Sequence, residues 1–161
     1  MLMMKIKIIA LGRLKEKYLR EAAAEYEKRL SGYCSLETTE IEPVHLPDRP
    51  SQVEIEAALE KEAQLILKRI PDGSAVFALC IEGNCFSSEE FSEQIAEFRS
   101  MGRNLVFIIG SSCGLAEKVK KKADKRLSFS PMTFPHRLFR IMLLEQLYRA
   151  FKIIEGGAYH K

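Results

Sequence analysis

The chain has 161 residues, 47% of them hydrophobic and 29% charged, the size and balance of a single globular domain with a sizeable core and not of a disordered chain. Twenty-five Lys and Arg against 22 Asp and Glu leave a net charge of +3, which excludes a dedicated polybasic tail but allows a local basic face. No apolar run reaches the roughly 18 residues that span a bilayer, and Met1-Leu2-Met3-Met4 leads into a charged alternating segment, not a signal sequence, so a cytoplasmic protein without membrane attachment is expected.

Lys5 to Leu11 alternates and then turns wholly apolar, the pattern of a buried strand that ends at Gly12. Residues 14–30 read as a helix with Tyr18, Ala22, Tyr26 and Leu30 on one face, Lys15, Lys17, Arg20, Lys28 and Arg29 on the other, and Gly32 closing it. Leu36 to Ile41 is a second strand, and Pro43, Pro47 and Pro50 make the next stretch a loop. Ser51 with Glu54 forms a capping-box signature for a helix to about Arg69, and Pro71-Asp72-Gly73 is a turn. Ala75 to Ile81 is continuously apolar, as a central strand is. Ser87 with Glu90 opens a helix to about Met101, and Leu105 to Ile109 is another central strand. A short helix from Leu115 enters a lysine run, Leu127 to Ser130 is a short strand, and residues 136–154 form the last helix. Strands alternating with helices over one domain, residues 1–161, give an α/β fold: a mostly parallel sheet with helices on both faces.

Ligands bind such sheets at the carboxyl ends of the strands. Three strand ends carry suitable residues: Leu79–Gly83, Ile109–Gly114, and Phe129-Ser130-Pro131-Met132-Thr133-Phe134-Pro135-His136. The glycine loop is neither a dinucleotide fingerprint nor a Walker motif, and by pattern alone it also reads as an ordinary strand-to-helix turn. The last helix is apolar almost all round (Leu138, Ile141, Met142, Leu147 and Phe151 among others). It is either a wholly internal core helix or a helix with one side on its own sheet and the other on a second subunit; the second reading is preferred. Glu145 and Arg149 stand at i, i+4 and can pair, whereas an arginine in a buried setting also suits phosphate or base recognition. Gly156-Gly157-Ala158-Tyr159-His160-Lys161 is either a frayed end or a segment folded back over a site. His136 reads as a loop or N-cap histidine, and Cys113 as a packing thiol. The four cysteines lack a C-x-x-C pair, read as reduced and buried, and with three scattered histidines give no metal site. Lys118, Lys120, Lys121, Lys122, Lys125 and Arg126 are a solvated face or, with the first helix, an RNA footprint.

Phe107-Ile-Ile-Gly110-x-x-x-Gly114-Leu115, Leu127-Ser-Phe-Ser130-x-Met-Thr133-Phe-Pro-His136, Leu144-Glu-Gln-Leu-Tyr-Arg149-Ala and Tyr159-His-Lys161 together resemble the RlmH-type SPOUT methyltransferases, as do Ile8 to Tyr18 and Leu79 to Phe91. The resemblance covers essentially the whole chain. It implies a deep carboxyl-terminal trefoil knot, with knot and cofactor site in residues 75–161, and a homodimer packed through the last helix. It implies S-adenosyl-L-methionine, needing no metal, held by Leu79, Gly110, Phe129, Ser130, Pro131, Met132, Thr133 and Phe134. It implies methylation of N3 of a pseudouridine in 23S rRNA within the ribosome, with Arg149 orienting the base, Tyr159 stacking on it and His160 taking its proton. Two departures stand out. Ser111 replaces a second glycine, which weakens cofactor binding if that position needs positive φ, and Ala158 replaces a proline, leaving the tail less pre-ordered. Met1-Leu2-Met3 precede the family's usual start, so Met4 is the expected functional start. A non-catalytic ribosome-assembly factor on the same fold is the main alternative, and it needs no intact cofactor loop; an enzyme with a nucleotide cofactor is opposed by the missing fingerprint.

Overall fold

The computed structural model describes residues 2–161; Met1, part of the extension ahead of Met4, lies outside them. Among the described residues ten elements alternate: β1 Lys5–Leu11, α1 Lys17–Leu30, β2 Ser35–Ile41, α2 Gln52–Leu67, β3 Ala75–Cys85, α3 Ser88–Ser100, β4 Leu105–Ile109, α4 Glu117–Lys122, β5 Lys125–Ser128 and α5 His136–Ile154. The sheet order is β2-β1-β4-β3-β5, and every pairing is parallel. The expected α/β architecture is therefore present. No helix among the described residues is long and apolar enough to cross a membrane.

The continuous apolar runs are explained by helices on both faces of the sheet. Alternate residues of the central strands point to opposite sides. Ile6, Ile8, Phe77 and Phe107 meet Leu19 and Ala23 of α1, Phe91, Ile95 and Phe98 of α3, and Leu143, Leu147 and Phe151 of α5. Ile9, Val76 and Ile108 meet Ala63 and Ile66 of α2 and Val119 of α4. Phe77 pairs with Phe107 in the sheet register, and their rings stack at 4.8 Å between centroids. Phe91 and Phe98 approach Phe77 edge-on at 6.3 and 5.8 Å. Both capping boxes form: Ser51 and Ser87 accept the N3 amides of Glu54 and Glu90, whose carboxyls accept the two serine amides in return.

Several expectations are corrected. The first helix starts at Lys17, because the Arg20 guanidinium donates to the Leu14 carbonyl at 3.1 Å and holds that segment outside the helix. Its buried face is Leu19, Ala23 and Leu30, so Tyr18 is left 68% exposed. Gly32 does not adopt the left-handed region; the helix ends through Tyr33 and Cys34 amides donating to the Leu30 carbonyl. β3 runs on to Cys85 because β5 pairs with it twice: Leu127 faces Leu79 and then Asn84 across a bulge. Gly83 permits that approach, since a Cβ there would lie 2.8 Å from the Arg126 backbone. The outer half of β3 is not buried on both faces, as the half-exposed Ile81 records. β5 begins at Lys125, two residues early, because an edge strand tolerates charged residues. Of the four free cysteines Cys34 is buried, which pushes its thiol up to about 12, whereas Cys85 is exposed. The last helix is covered by α1, α3 and the sheet on one side, while Leu138 remains exposed and Ile141 and Met142 are only partly buried.

Phe107→Ala removes the ring at the centre of the aromatic cluster. It is expected to cost about 3–5 kcal/mol, measured by urea unfolding; a loss under about 1 kcal/mol would show that the cluster does not hold the sheet to α3.

Candidate functional site

In the sheet register Leu79 pairs with Ile109 on one side and Leu127 on the other. The chain leaving β3, β4 and β5 therefore emerges at one edge, and there a cavity of about 660 Å³ opens, within the usual size of small-ligand sites. Leu79, Gly110, Phe129, Ser130, Thr133 and Phe134 line it; Pro131 and Met132, on the same segment, are exposed and do not. Leu115 and Phe139 add apolar wall. Both sit in helix-proximal apolar patterns that read as core, so no signal in the sequence separated them from packing residues. Phe139 stacks on Phe129 at 5.7 Å and meets Phe134 edge-on at 5.7 Å. The segment after β5 is shaped by serines: the Ser128 hydroxyl donates to the Ser130 carbonyl at 3.1 Å, and the Met132 amide donates to Ser130 Oγ at 3.0 Å.

The glycine loop closes on itself. The Gly114 amide donates to the Ser111 carbonyl at 2.9 Å, and Gly114 takes φ +82°, which favours glycine. A Cβ on Gly110 would stand 2.7 Å from the Gly114 carbonyl carbon and closer still to its oxygen. Gly110 is thus required by the loop's own backbone. Ser111 has no positive φ, so this departure from the glycine pair is unstrained. His136 opens α5 at the cavity wall. Burial, then the neighbouring Arg137 charge, lowers its pKa, which keeps the imidazole neutral near pH 7. Burial raises the pKa of the Cys80 thiol on the same wall.

A second constellation lies further along α5. The expected Glu145–Arg149 pair forms, with Nη2 to Oε1 at 2.5 Å and Nε to Oε1 at 3.1 Å. The tail folds back onto it after Gly156, at φ +70°. The Tyr159 hydroxyl donates to Glu145 Oε1 at 3.1 Å, and the Arg149 guanidinium lies 4.8 Å from the Tyr159 ring centroid. His160 Nδ1 is 3.2 Å from Arg149 Nη1, and Nε2 is 2.7 Å from Glu89 Oε1. Because a guanidinium only donates, Nδ1 accepts and Nε2 carries the proton toward Glu89. The Glu145 hydrogen bond raises the Arg149 pKa, burial and then Glu145 raise that of Tyr159, and the His160 hydrogen bond lowers that of Glu89. Arg149, Tyr159 and His160 are therefore together, but none lines the cavity. Arg149 is ten residues beyond Phe139, about 15 Å along the helix axis. The other arginines of α5 are committed elsewhere: Arg137 to Glu16 at 2.9 Å and Arg140 to Glu40 at 3.0 Å. The basic faces are partly neutralised by Lys17–Glu21, Arg29–Glu25, Lys118–Glu60 and Lys120–Glu82 pairs.

A parallel α/β sheet whose last three strands feed one cavity, built from a closed glycine loop and a serine-shaped segment, defines an enzyme that binds a small cofactor at its strand ends. The chain belongs to the SPOUT methyltransferase family: the model of the family described as "Predicted SPOUT methyltransferase" matches residues 4–160. It is 50% identical over 159 residues to "Ribosomal RNA large subunit methyltransferase H 1" of Clostridium perfringens, strain SM101, covering 98% of this chain and 100% of that one. It is 51% identical, with the same coverage, to "Ribosomal RNA large subunit methyltransferase H" of Clostridium botulinum, strain Okra. In fold it matches the solved "Probable Methyltransferase from Bordetella pertussis Tohama I" with a TM-score of 0.55 at 14% identity, over 91% of this chain and 94% of that one.

The cofactor of this family is S-adenosylmethionine, and the cavity suits it. Leu79, Leu115, Phe129 and Phe139 give the cavity apolar walls, and Gly110–Gly114 with Ser128, Ser130 and Thr133 give it backbone and hydroxyl groups, the mixture that a ligand with a purine, a ribose and an amino-acid end needs. Gly110→Val is expected to abolish S-adenosylmethionine binding by forcing open the Gly110–Gly114 turn, measured by calorimetry on folded protein. Binding within about threefold of wild type would show that the turn does not shape the site.

Proposed function

We propose that this protein methylates N3 of a pseudouridine in 23S rRNA, working on the assembled ribosome in the cytoplasm as a homodimer. The observation that carries this reading is the cofactor-sized cavity at the strand ends of a chain half identical, over 98% of its length, to large-subunit rRNA methyltransferases. That cavity also favours an enzyme over an assembly factor on the same fold, which needs the basic surface but no cavity.

Bound S-adenosylmethionine supplies an electrophilic methyl group on a sulfonium. The protein must place the target nitrogen in line with it and remove the N3 proton. Leu79, Gly110, Phe129, Ser130, Thr133 and Phe134 hold the cofactor, with Pro131 and Met132 acting through the shape of their segment. Arg149 orients the base and stabilises the charge that develops as N3 loses its proton. Tyr159 offers its ring face to the base. His160 receives the N3 proton at Nδ1 once the substrate displaces the Arg149 contact, because both ring nitrogens are engaged in the docked tail.

The spacing along α5 bears on assembly. One chain holds its cavity at the start of the helix and its Arg149–Tyr159–His160 cluster near the end. A two-fold axis across the uncovered Leu138–Ile141–Met142 side lays the cluster of one copy toward the cavity of the other. The reading also includes a carboxyl-terminal knot within residues 75–161, the segment that holds β3, β4, β5 and α5.

Deleting residues 159–161 is expected to leave unfolding and cofactor affinity nearly unchanged while transfer of labelled methyl to unmodified ribosomes falls at least a hundredfold. Wild-type transfer from the deletion would remove Tyr159 and His160 from the reaction, and no transfer by the intact protein would favour the assembly factor. Light scattering at micromolar concentration is expected to give twice the chain mass, with Met142→Glu shifting it toward the monomer; a monomeric wild type would refute the two-fold arrangement.

A further inference from the structure

Glu62 is 4% exposed on α2, the only charged residue among that helix's buried positions. A carboxyl group buried without partners is costly. Here each oxygen accepts one hydrogen bond, and the two donors come from different loops. The Val44 amide donates to Oε1 at 3.1 Å, and the Ser111 hydroxyl donates to Oε2 at 3.0 Å. Val44 belongs to the proline-rich segment after β2, and Ser111 is the second residue of the cofactor loop.

The surroundings of that loop give the contact its weight. A further cavity of about 480 Å³ adjoins the same loop, lined in part by Val44, His45, Leu46 and Glu62. Ser111, Ser112, Cys113 and His136 line both cavities. The loop is therefore wall to open space in both cavities; Ser112 is exposed and Ser111 and Cys113 are only half-buried, in contrast to the fully buried β4 immediately before them. A hydrogen bond to a buried, rigidly mounted group on a helix sets the position of such a wall.

We infer that Glu62 is a positioning residue for the cofactor loop, fixing the 110–114 turn through Ser111 and tying it to the segment after β2. Glu62 does not line the larger cavity and acts through the serine, which does. The inference rests on the assignment of the larger cavity to S-adenosylmethionine, and it goes beyond that assignment by placing control of the site on a helix outside it.

The test is a double-mutant cycle read by S-adenosylmethionine calorimetry, with far-UV circular dichroism to verify folding. Loss of one hydrogen bond to a buried carboxyl corresponds to about tenfold in affinity. Ser111→Ala is expected to raise the dissociation constant about tenfold and Glu62→Met, which also frees the Val44 amide, at least as much; the double variant should be no weaker than Glu62→Met alone, since the Ser111–Glu62 contact is lost in both single variants. Glu62→Gln keeps both contacts, because the serine hydroxyl can accept as well as donate, and should stay within about threefold of wild type. Amide hydrogen exchange at residues 111–114 should speed up in Ser111→Ala and Glu62→Met but not in Glu62→Gln, and the kinetic loss should fall on KM for the cofactor. If Glu62→Met does not fold, Ser111→Ala and Glu62→Gln carry the comparison. Wild-type affinity in Ser111→Ala, or additive losses in the double variant, would overturn the positioning role. Absence of binding by the wild-type protein would instead overturn the cofactor assignment, and the role with it.

Discussion

The double pairing of β3 governs the molecule. Ala75–Leu79 hydrogen-bonds to β4 on one side, and Phe77–Leu79 to β5 on the other. Parallel ladders align strand ends, so once β3 is flanked in this way three loops must emerge together. The cavity is the space those loops enclose. Its floor is the top of a sheet whose centre, β4 and Ala75–Ala78 of β3, is fully buried and fixed by the stacked Phe77 and Phe107, which gives the loops above a rigid base.

α5 links this base to the rest of the chemistry. Its first turn closes the cavity through His136 and Phe139, its middle fills the core, and its last turns carry Arg149 and anchor the tail. One rigid element thus sets the distance between the two constellations. The tail is ordered by polar contacts to Glu145, Arg149 and Glu89 and by the edge of the Tyr159 ring on Tyr148 at 4.9 Å. Hydrogen bonds of this kind exchange readily with those of an incoming ligand, whereas the apolar helix beneath them does not move at comparable cost.

The parts of the fold legible in the sequence were those with strong local chemistry. The capping boxes at Ser51 and Ser87 and the apolar runs at Ala75 and Leu105 each dictate one backbone outcome. The extension of β3 to Cys85 is not legible, because its cause is a partner: the apolar run ends at Ile81, and Gly83 and Asn84 are poor strand formers until β5 lies beside them. Of the expected α1 face, Leu30 is buried and Tyr26 packs on the core, whereas Leu19 and Ala23 take the places of Tyr18 and Ala22; neighbouring alanines are chemically equal, and only the packing of the helix decides which is covered. In the candidate site, Gly110 was singled out for ligand approach, whereas its lack of a side chain serves the crossing by Gly114. Glu62 gave no signal at all. It sits in a helix rich in glutamates, and its burial depends on two loops remote in sequence.

The sheet order also bears on how the chain comes to be made. The Lys5 amide donates to the side chain of Asn104, 99 positions away, and β1 has β4 as its inner neighbour. β1 and β2 can pair early, and α1 and α2 can reach their two faces, but the inner edge of β1 stays unpaired until β4 has been synthesised, and the Leu143–Phe151 surface that completes one face comes last of all. Such non-local pairing makes loop closure the slow step of folding. During translation the growing polypeptide therefore carries an unpaired β1 edge and a face that only the last helix completes, the stretch in which shielding by chaperones is of most use.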